Sequence, residues 1–399
     1  MNKKPRIAIV ADDPPVHRDI IASGLCRVNS HLFRSLEKNI DIIVCGSLGG
    51  LYSEEALASE FKQKYLIWDQ ENKLIKFLKR FIPYFLIEEI KFFFKRSLIV
   101  NEIRKAKSNL IFCPCGVNPF SLRRAIWLSE KCQLPIAVYF VDDFLSGAQL
   151  SKNFPHLFAS RYFLPKWMEK VSKVFVITDG LKSRFQNLYG NDAEVLHLPF
   201  DLYSRVQGFP PCGIKNQIMF IGNISHFYID GIKDMASVID DLNRFRVDPI
   251  VFRMTLPNKK QVESIGSFKC IQYAPYTDDY LLNLDMNASI LCFAPYSFNN
   301  KYKTMVSTSF PSKILEYLAS ARYVIAYGPD YTTSIRYFTE NKIKEIVCCE
   351  SRKKLKDAVM QQIQNNADCS VQYLQVISTL HNPEGIANQI ISALSLISP

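Results

Sequence analysis

The sequence predicts an α/β protein with two doubly wound, Rossmann-like domains of parallel sheet facing a central cleft. Three observations lead there. Apolar runs of strand length alternate with helical patterns along nearly the whole chain. Many of these runs carry continuous Ile, Val and Phe rather than strict alternation, as strands covered on both faces do. The 399 residues exceed one ordinary core but suit two domains of roughly 150–200 residues each.

In the first half the strand-like runs are Arg6–Val10, Asp41–Cys45, Tyr65–Trp68, Leu110–Cys113, Ile136–Phe140, Lys173–Ile177 and Glu194–Leu196. In the second half they are Gln217–Ile221, Ile250–Met254, Phe268–Gln272, Ala288–Phe293, Tyr323–Ala326 and Lys344–Cys348. Helical patterns lie between them, as at Arg27–Asn39, Pro119–Cys132, Gly180–Tyr189, Asp230–Asp241, Tyr276–Leu284 and Arg352–Gln364. Such repetition implies parallel βαβ units in open sheets. Val206–Gly213 is rich in Pro and Gly and has no periodicity. The expected division is a first domain at 1–203, a linker at 204–214 and a second domain at 215–399. Ligands of such sheets bind beyond the C-terminal strand ends.

Composition narrows the class. With 48% hydrophobic and 22% charged residues the chain has the balance of a soluble globular protein. Arg6–Val10 is too short for the apolar core of a secretory signal, and no run is long and apolar enough to span a bilayer. The eleven cysteines are odd in number and scattered. Cys113-Pro114-Cys115 and Cys348-Cys349 are the close pairs, and neither has zinc-ligand spacing with a second pair. Buried thiols in a reducing compartment follow, so a cytoplasmic protein is expected. The net charge of +11 is compatible with nucleic acid, but Lys and Arg are spread and no recognition module is present. No nucleic-acid partner is therefore expected.

The first strand runs into Ala11-Asp12-Asp13-Pro14-Pro15, not into Gly-x-Gly-x-x-Gly, and no Walker-type loop occurs. Dinucleotide oxidoreductases and P-loop enzymes both lack their defining element here. The insertion 71–105 breaks the strand–helix rhythm. Lys73, Lys76, Lys79 and Arg80 recur at helical spacing among Leu and Phe, and Pro83 interrupts the pattern. It reads either as a basic amphipathic segment on an anionic membrane surface or as a helical insertion packed on the first sheet.

The chemistry centres on Ser309-Phe310-Pro311-Ser312-Lys313-Ile314-Leu315-Glu316-Tyr317-Leu318-Ala319. Pro311 suits the first turn of a helix and Ser309 its N-cap. Lys313 and Glu316 then share a face, while Ile314, Leu315, Tyr317 and Leu318 pack. A helix N-terminus with a lysine beside it makes a diphosphate seat. A glutamate one turn deeper can accept both hydroxyls of a ribose. Spacing alone reads first as a surface Lys–Glu pair worth under ~1 kcal/mol.

The segment, followed by Val324-Ile325-Ala326, resembles the donor-site helix of GT-B glycosyltransferases, especially the retaining family 4. The resemblance implies that Lys313 and Glu316 meet the phosphates and ribose of a nucleotide sugar. Gln217–Asn223 resembles the strand and glycine that open the second domain, which implies donor contacts at Gly222 and Asn223. Lys173–Leu181, Val195–Asp201 and Ala288–Pro295 agree in order and spacing. The family's second acidic position, eight residues before the helix glutamate, is Thr308 here. The basic pair after the first strand of the second domain is absent from Ile224-Ser225-His226-Phe227-Tyr228, and Arg253 is the expected substitute for it. The usual glycine and proline after the helix are Ala321 and Tyr323.

In the first domain, Ser23-Gly24-Leu25-Cys26-Arg27 resembles the family's glycine-containing loop, so Gly24 and Arg27 are expected on the acceptor side. Asp142 and Asp143 follow a strand end, where a carboxylate either orients an acceptor hydroxyl or caps a turn or helix. With no Asp-x-Asp motif, the leaving diphosphate would be stabilised by cationic side chains and helix dipoles, without a metal. No cofactor is expected beyond the donor substrate. The expected activity is transfer from a nucleoside-diphosphate sugar to a saccharide or lipid-linked acceptor, with an anionic membrane as a further partner. The alternatives are a sugar-nucleotide epimerase on the same fold and a degenerate, non-catalytic scaffold.

Overall fold

The computed structural model describes residues 5–15, 24–46, 64–68, 84–116, 118–201, 215–276, 279–320, 322–343, 347–365 and 370–397. The expected linker, and Lys73, Lys76, Lys79 and Arg80, lie outside the described residues.

The chain forms two compact units. The described part of unit 1 runs to Pro199 and resumes at Pro383; unit 2 runs from Phe200 to Asn382. The first boundary lies near the expected one. The second corrects it, because the end of the chain belongs to unit 1 and not to a domain at 215–399. The helix Pro383–Ser395 buries Ile386, Ala387, Ile390, Ala393 and Leu394 and packs on the helix Gly24–Leu36. Its Gln389 donates to Glu194 (2.8 Å) and to the Val195 carbonyl (3.1 Å) at the sheet edge. An amphipathic pattern shows that a helix has an apolar face, not which sheet that face covers.

Unit 1 holds a seven-stranded parallel sheet of β1 (Ile7–Ala11), β2 (Ile40–Cys45), β3 (Lys64–Ile67), β4 (Leu110–Cys115), β5 (Ile136–Phe140), β6 (Lys173–Val176) and β7 (Glu194–Val195). Their spatial order is β3-β2-β1-β4-β5-β6-β7. Every residue of β1, β4 and β5 is buried, which accounts for their unbroken apolar sequence. The helix Pro119–Cys132 starts where Asn118 accepts from the Phe120 N–H (3.1 Å), with Pro119 in its first turn, and stops at left-handed Gln133. Right-handed crossovers put this helix, the helix Tyr84–Ala106 and the run Phe144–Met168 on the same side of the sheet. Contacts between them agree.

Unit 2 holds β8 (Gln217–Ile221), β9 (Val251–Leu256), β10 (Ile271–Pro275), β11 (Leu291–Pro295), β12 (Tyr323–Tyr327) and β13 (Val347–Cys349), in the order β10-β9-β8-β11-β12-β13. All described pairings are parallel. The core is built on Ile218, Phe220, Phe252, Met254, Leu291 and Phe293. In each unit the strand order reverses once, between β1 and β4 and between β8 and β11, which is where doubly wound sheets receive ligands.

Candidate functional site

At the unit 2 reversal, β8 ends in Ile221 and the chain turns through Gly222 with φ +90°. That conformation favours glycine, and the space where a Cβ would stand is empty to 4 Å. The Gly222 N–H still donates to the Thr255 carbonyl (3.0 Å), so the turn is held to β9. Gln261 holds the following loop, donating to Asn223 Oδ1 (3.1 Å) and accepting from the Ile224 N–H (3.1 Å). On the β11 side, Gly231 packs so closely that a Cβ would lie 2.7 Å from that of Pro295.

The helix Lys313–Ala319 is fastened to the same place. Tyr317, fully buried, accepts from the Ile221 N–H (3.0 Å). The turn before the helix is closed by Ile314 N–H to Pro311 (2.9 Å) and Leu315 N–H to Ser312 (3.1 Å). Phe310 packs edge-on to Tyr337 (5.1 Å) and stacks on His381 (6.1 Å). Ser309 is not the N-cap of this helix. It ends the preceding helix Lys303–Thr308 in extended conformation, and its carbonyl accepts from the buried Tyr296 and Thr333 hydroxyls. The helix start therefore lies two residues beyond Pro311. Its C-cap Ser320 is right-handed (φ −73°), and Ala321, where the family's glycine would stand, lies outside the described residues.

Lys313 Nζ is closed to solvent and has no hydrogen-bond partner among the described residues. It lies 3.9 Å from the ring centroids of both Phe220 and Tyr228. Burial holds its pKa well below the ordinary lysine value. Two aromatic faces supply partial negative charge but no full counter-charge, so an anion arriving here would meet a desolvated cation. Glu316 is buried one turn deeper, 8% exposed, and does not pair with Lys313. Thr308 is also buried, its hydroxyl donating to the Thr304 carbonyl (2.9 Å) within its own helix.

The structure brings together Gly222, Lys313, Glu316 and the turn after Ser309, and it leaves Arg253 elsewhere. Arg253 is third in a six-residue strand, level with Met219, not at the strand end. Its guanidinium is committed to Asp285 (2.6 and 2.8 Å) and Gln272 (3.2 Å). Sequence reasoning missed Phe220 and Tyr228. The signal for Tyr228 was the aromatic pair Phe227-Tyr228 standing where the family's basic pair is absent.

In unit 1, Asp143 is 1% exposed and structural. It caps the helix Phe144–Ser151 by accepting from Leu145 N–H (3.1 Å), accepts from Ser146 Oγ (2.6 Å) and pairs with Arg184. The cap alternative is the one the geometry takes. Asp142 is partly exposed beside it. Gly24 opens the helix Gly24–Leu36, so it is helical rather than in a preceding loop. The side chain of Arg27, on the first turn, lies outside the described residues.

The acidic pair Asp12-Asp13, unassigned from sequence, stands at the unit 1 reversal. Asp12 is bound by the buried Arg124 and by Asn118 Nδ2 (2.7 Å). Burial first, then the neighbouring Asp12 charge, pushes the Asp13 carboxyl up to about 7. Such a group can exchange a proton with a ligand hydroxyl near neutrality.

No family model and no curated protein matches the sequence. Solved structures match in three dimensions. Anabaena HepE in complex with UDP-glucose aligns at a TM-score of 0.67 and 12% identity, over 98% of this chain and 99% of its own. The fold is GT-B. Trehalose-6-phosphate synthase OtsA aligns at 0.62 and 10% identity, covering 99% of this chain and 100% of that one. An alpha-glucosyltransferase in complex with UDP-glucose and abasic-site DNA aligns at 0.61 and 11% identity, over 98% and 99%. The GT-B fold expected from the Lys313 segment is thus the observed one.

Proposed function

We propose that this GT-B chain is a glycosyltransferase that moves a sugar from a nucleoside-diphosphate donor to a saccharide or lipid-linked acceptor. The carrying observation is the Lys313 ammonium, closed to solvent, set on two rings beside the end of β8 and without an anionic partner among the described residues. A diphosphate lying against the open backbone at Gly222 would supply that missing charge, and Glu316, one turn further along the helix, would accept the ribose hydroxyls. As the sugar leaves, negative charge grows on the diphosphate, and a preorganised cation in a dry site stabilises it. Retention of configuration follows the resemblance of the Lys313 segment to family 4. Because HepE and the alpha-glucosyltransferase are seen with UDP-glucose, a uridine diphosphate donor is the first to test.

Cell-surface polysaccharide or glycolipid synthesis at the inner face of a membrane supplies acceptors of this class, and the basic insertion 71–105 supports that placing. Among the described residues no helix is long and apolar enough to cross a membrane. Calorimetric titration with UDP, followed by product analysis of UDP-glucose with and without acceptor, tests the reading. Turnover that needs acceptor supports transfer, turnover without it supports an epimerase, and no heat with any nucleoside diphosphate would leave a non-catalytic scaffold.

A further inference from the structure

Unit 1 carries a cavity of about 400 Å³ between the helices Tyr84–Ala106 and Pro119–Cys132, within the size range of small-molecule sites. Leu86, Ile90, Phe92, Phe93 and Trp127 form its apolar wall. Three arginines also line it, with unequal commitments. Arg123 and Arg124 are both paired with Glu89 (2.9 and 2.7 Å). Arg96 has no carboxylate partner among the described residues and lies over Phe93 (3.8 Å) and Trp127 (5.2 Å). The cavity is therefore an aromatic slot with one cation, Arg96, that has no carboxylate partner among the described residues.

The slot opens onto an exposed apolar stripe. Leu86, Ile90, Phe93, Phe94 and Leu98 follow helical spacing on the outer face, and Phe94 is 77% exposed. The inner face of the same helix buries Ile87, Phe92, Ile99 and Ile103. A helix apolar on both faces has a second apolar surface to cover. The run Phe144–Met168, on the same side of the sheet, presents a second exposed ladder of Phe154, Phe158 and Tyr162, with successive ring centroids 6.4 and 4.9 Å apart. Arg161 and Lys166 are exposed beside it, and Lys95 beside the first. Apolar stripes flanked by cations on one side of a unit complement an anionic bilayer, which offers hydrocarbon and phosphate together.

We infer that the cavity takes one acyl chain of an anionic phospholipid from the bilayer, with the lipid phosphate on Arg96. This rests on the membrane-side reading of the insertion and is independent of the donor site. The full chain in a Trp167→Phe background is mixed with phosphatidylglycerol–phosphatidylcholine vesicles whose acyl chains carry bromine, a contact quencher of tryptophan. The expected result is quenching that disappears in Trp127→Phe and weakens several-fold in Arg96→Gln. In Ile90→Glu it should need about tenfold more lipid, because a carboxylate would lie in the chain's path. Phe93→Ser, at a second exposed position, should act in the same direction. Co-sedimentation of the same samples separates the two readings. Sedimentation without Trp127-dependent quenching overturns the cavity assignment and leaves membrane contact standing. No sedimentation overturns both, equal quenching by pure phosphatidylcholine vesicles overturns the choice of an anionic lipid, and unchanged quenching in Arg96→Gln overturns the assignment of the phosphate to Arg96.

Discussion

The ammonium of Lys313 stands 3.9 Å from the centre of the Tyr228 ring, and no carboxylate neutralises it among the described residues. The arrangement is unfavourable for the empty protein and favourable for an anionic ligand. It separates stability from binding.

Lys313→Met is therefore expected to raise the stability of the ligand-free protein, by on the order of 1–3 kcal/mol, because an uncompensated buried cation is removed. The same change should weaken UDP binding about 10- to 100-fold through loss of one charge-assisted contact. Thermal unfolding and calorimetry on one preparation check both. A variant that loses stability and keeps its UDP affinity would remove Lys313 from the donor site.

The depressed Lys313 pKa also sets a sign with pH. Between the folded value and the ordinary one, the unfolded chain binds the extra proton, so this residue's contribution to stability rises with pH across that window. UDP favours the protonated form, so its affinity should fall as pH rises through the free-protein value. A UDP affinity that follows the same pH profile in wild type and Lys313→Met would contradict this.

Asp13 runs the opposite way. Its carboxyl is raised from 3.8 to about 7, so the folded protein binds the extra proton between those values. Stability from this group is complete below about pH 4 and declines as pH rises to 7. Asp13→Asn should therefore help the protein more at pH 8 than at pH 4, read as the difference in denaturant midpoint.

Gly222→Ala places a side chain in open space but at φ +90°. The expected cost is about 1–2 kcal/mol of backbone strain. UDP affinity should drop as well, if the ligand lies against this backbone. Urea unfolding and calorimetry report the two effects separately.

Asp143→Asn and Arg253→Ala test two carboxylate–arginine pairs that the structure makes internal to a unit. Each should destabilise by about 1–3 kcal/mol, less than a fully dry pair, since Arg184 and Arg253 keep some exposure. UDP affinity should stay within about threefold of wild type, a change under ~1 kcal/mol. A large fall in affinity for Arg253→Ala would restore the residue to the donor site.

Much of the fold is legible from sequence because burial leaves a mark on each residue. Ile136–Phe140 and Gln217–Ile221 read correctly at both ends, since every side chain in them is buried. The edge strand β10 is displaced from the expected Phe268–Gln272 to Ile271–Pro275, since only Ala274 of its residues is buried and no continuous apolar run marks it. Lys313 and Glu316 can be read as a pair because they stand one turn apart on one helix, and Gly222 because it directly follows its own strand. Arg253 is not, because its partner Asp285 lies on another element and nothing local announces an ion pair. For Tyr228 the same holds, since a ring becomes a cation's platform only once β8 and the Lys313 helix are fastened together by Tyr317.

The return of Pro383–Ser395 to unit 1 has a consequence for how the protein is made. The first sheet emerges early from the ribosome, but the helix that covers Gly24–Leu36 is translated only after all of unit 2. Unit 1 is thus begun first and finished last. An apolar helix face must wait through the synthesis of the other unit, a period in which nascent chains depend on chaperones. A stop codon just before Pro383 would remove no residue of the donor site, yet it would leave the first unit without its closing helix.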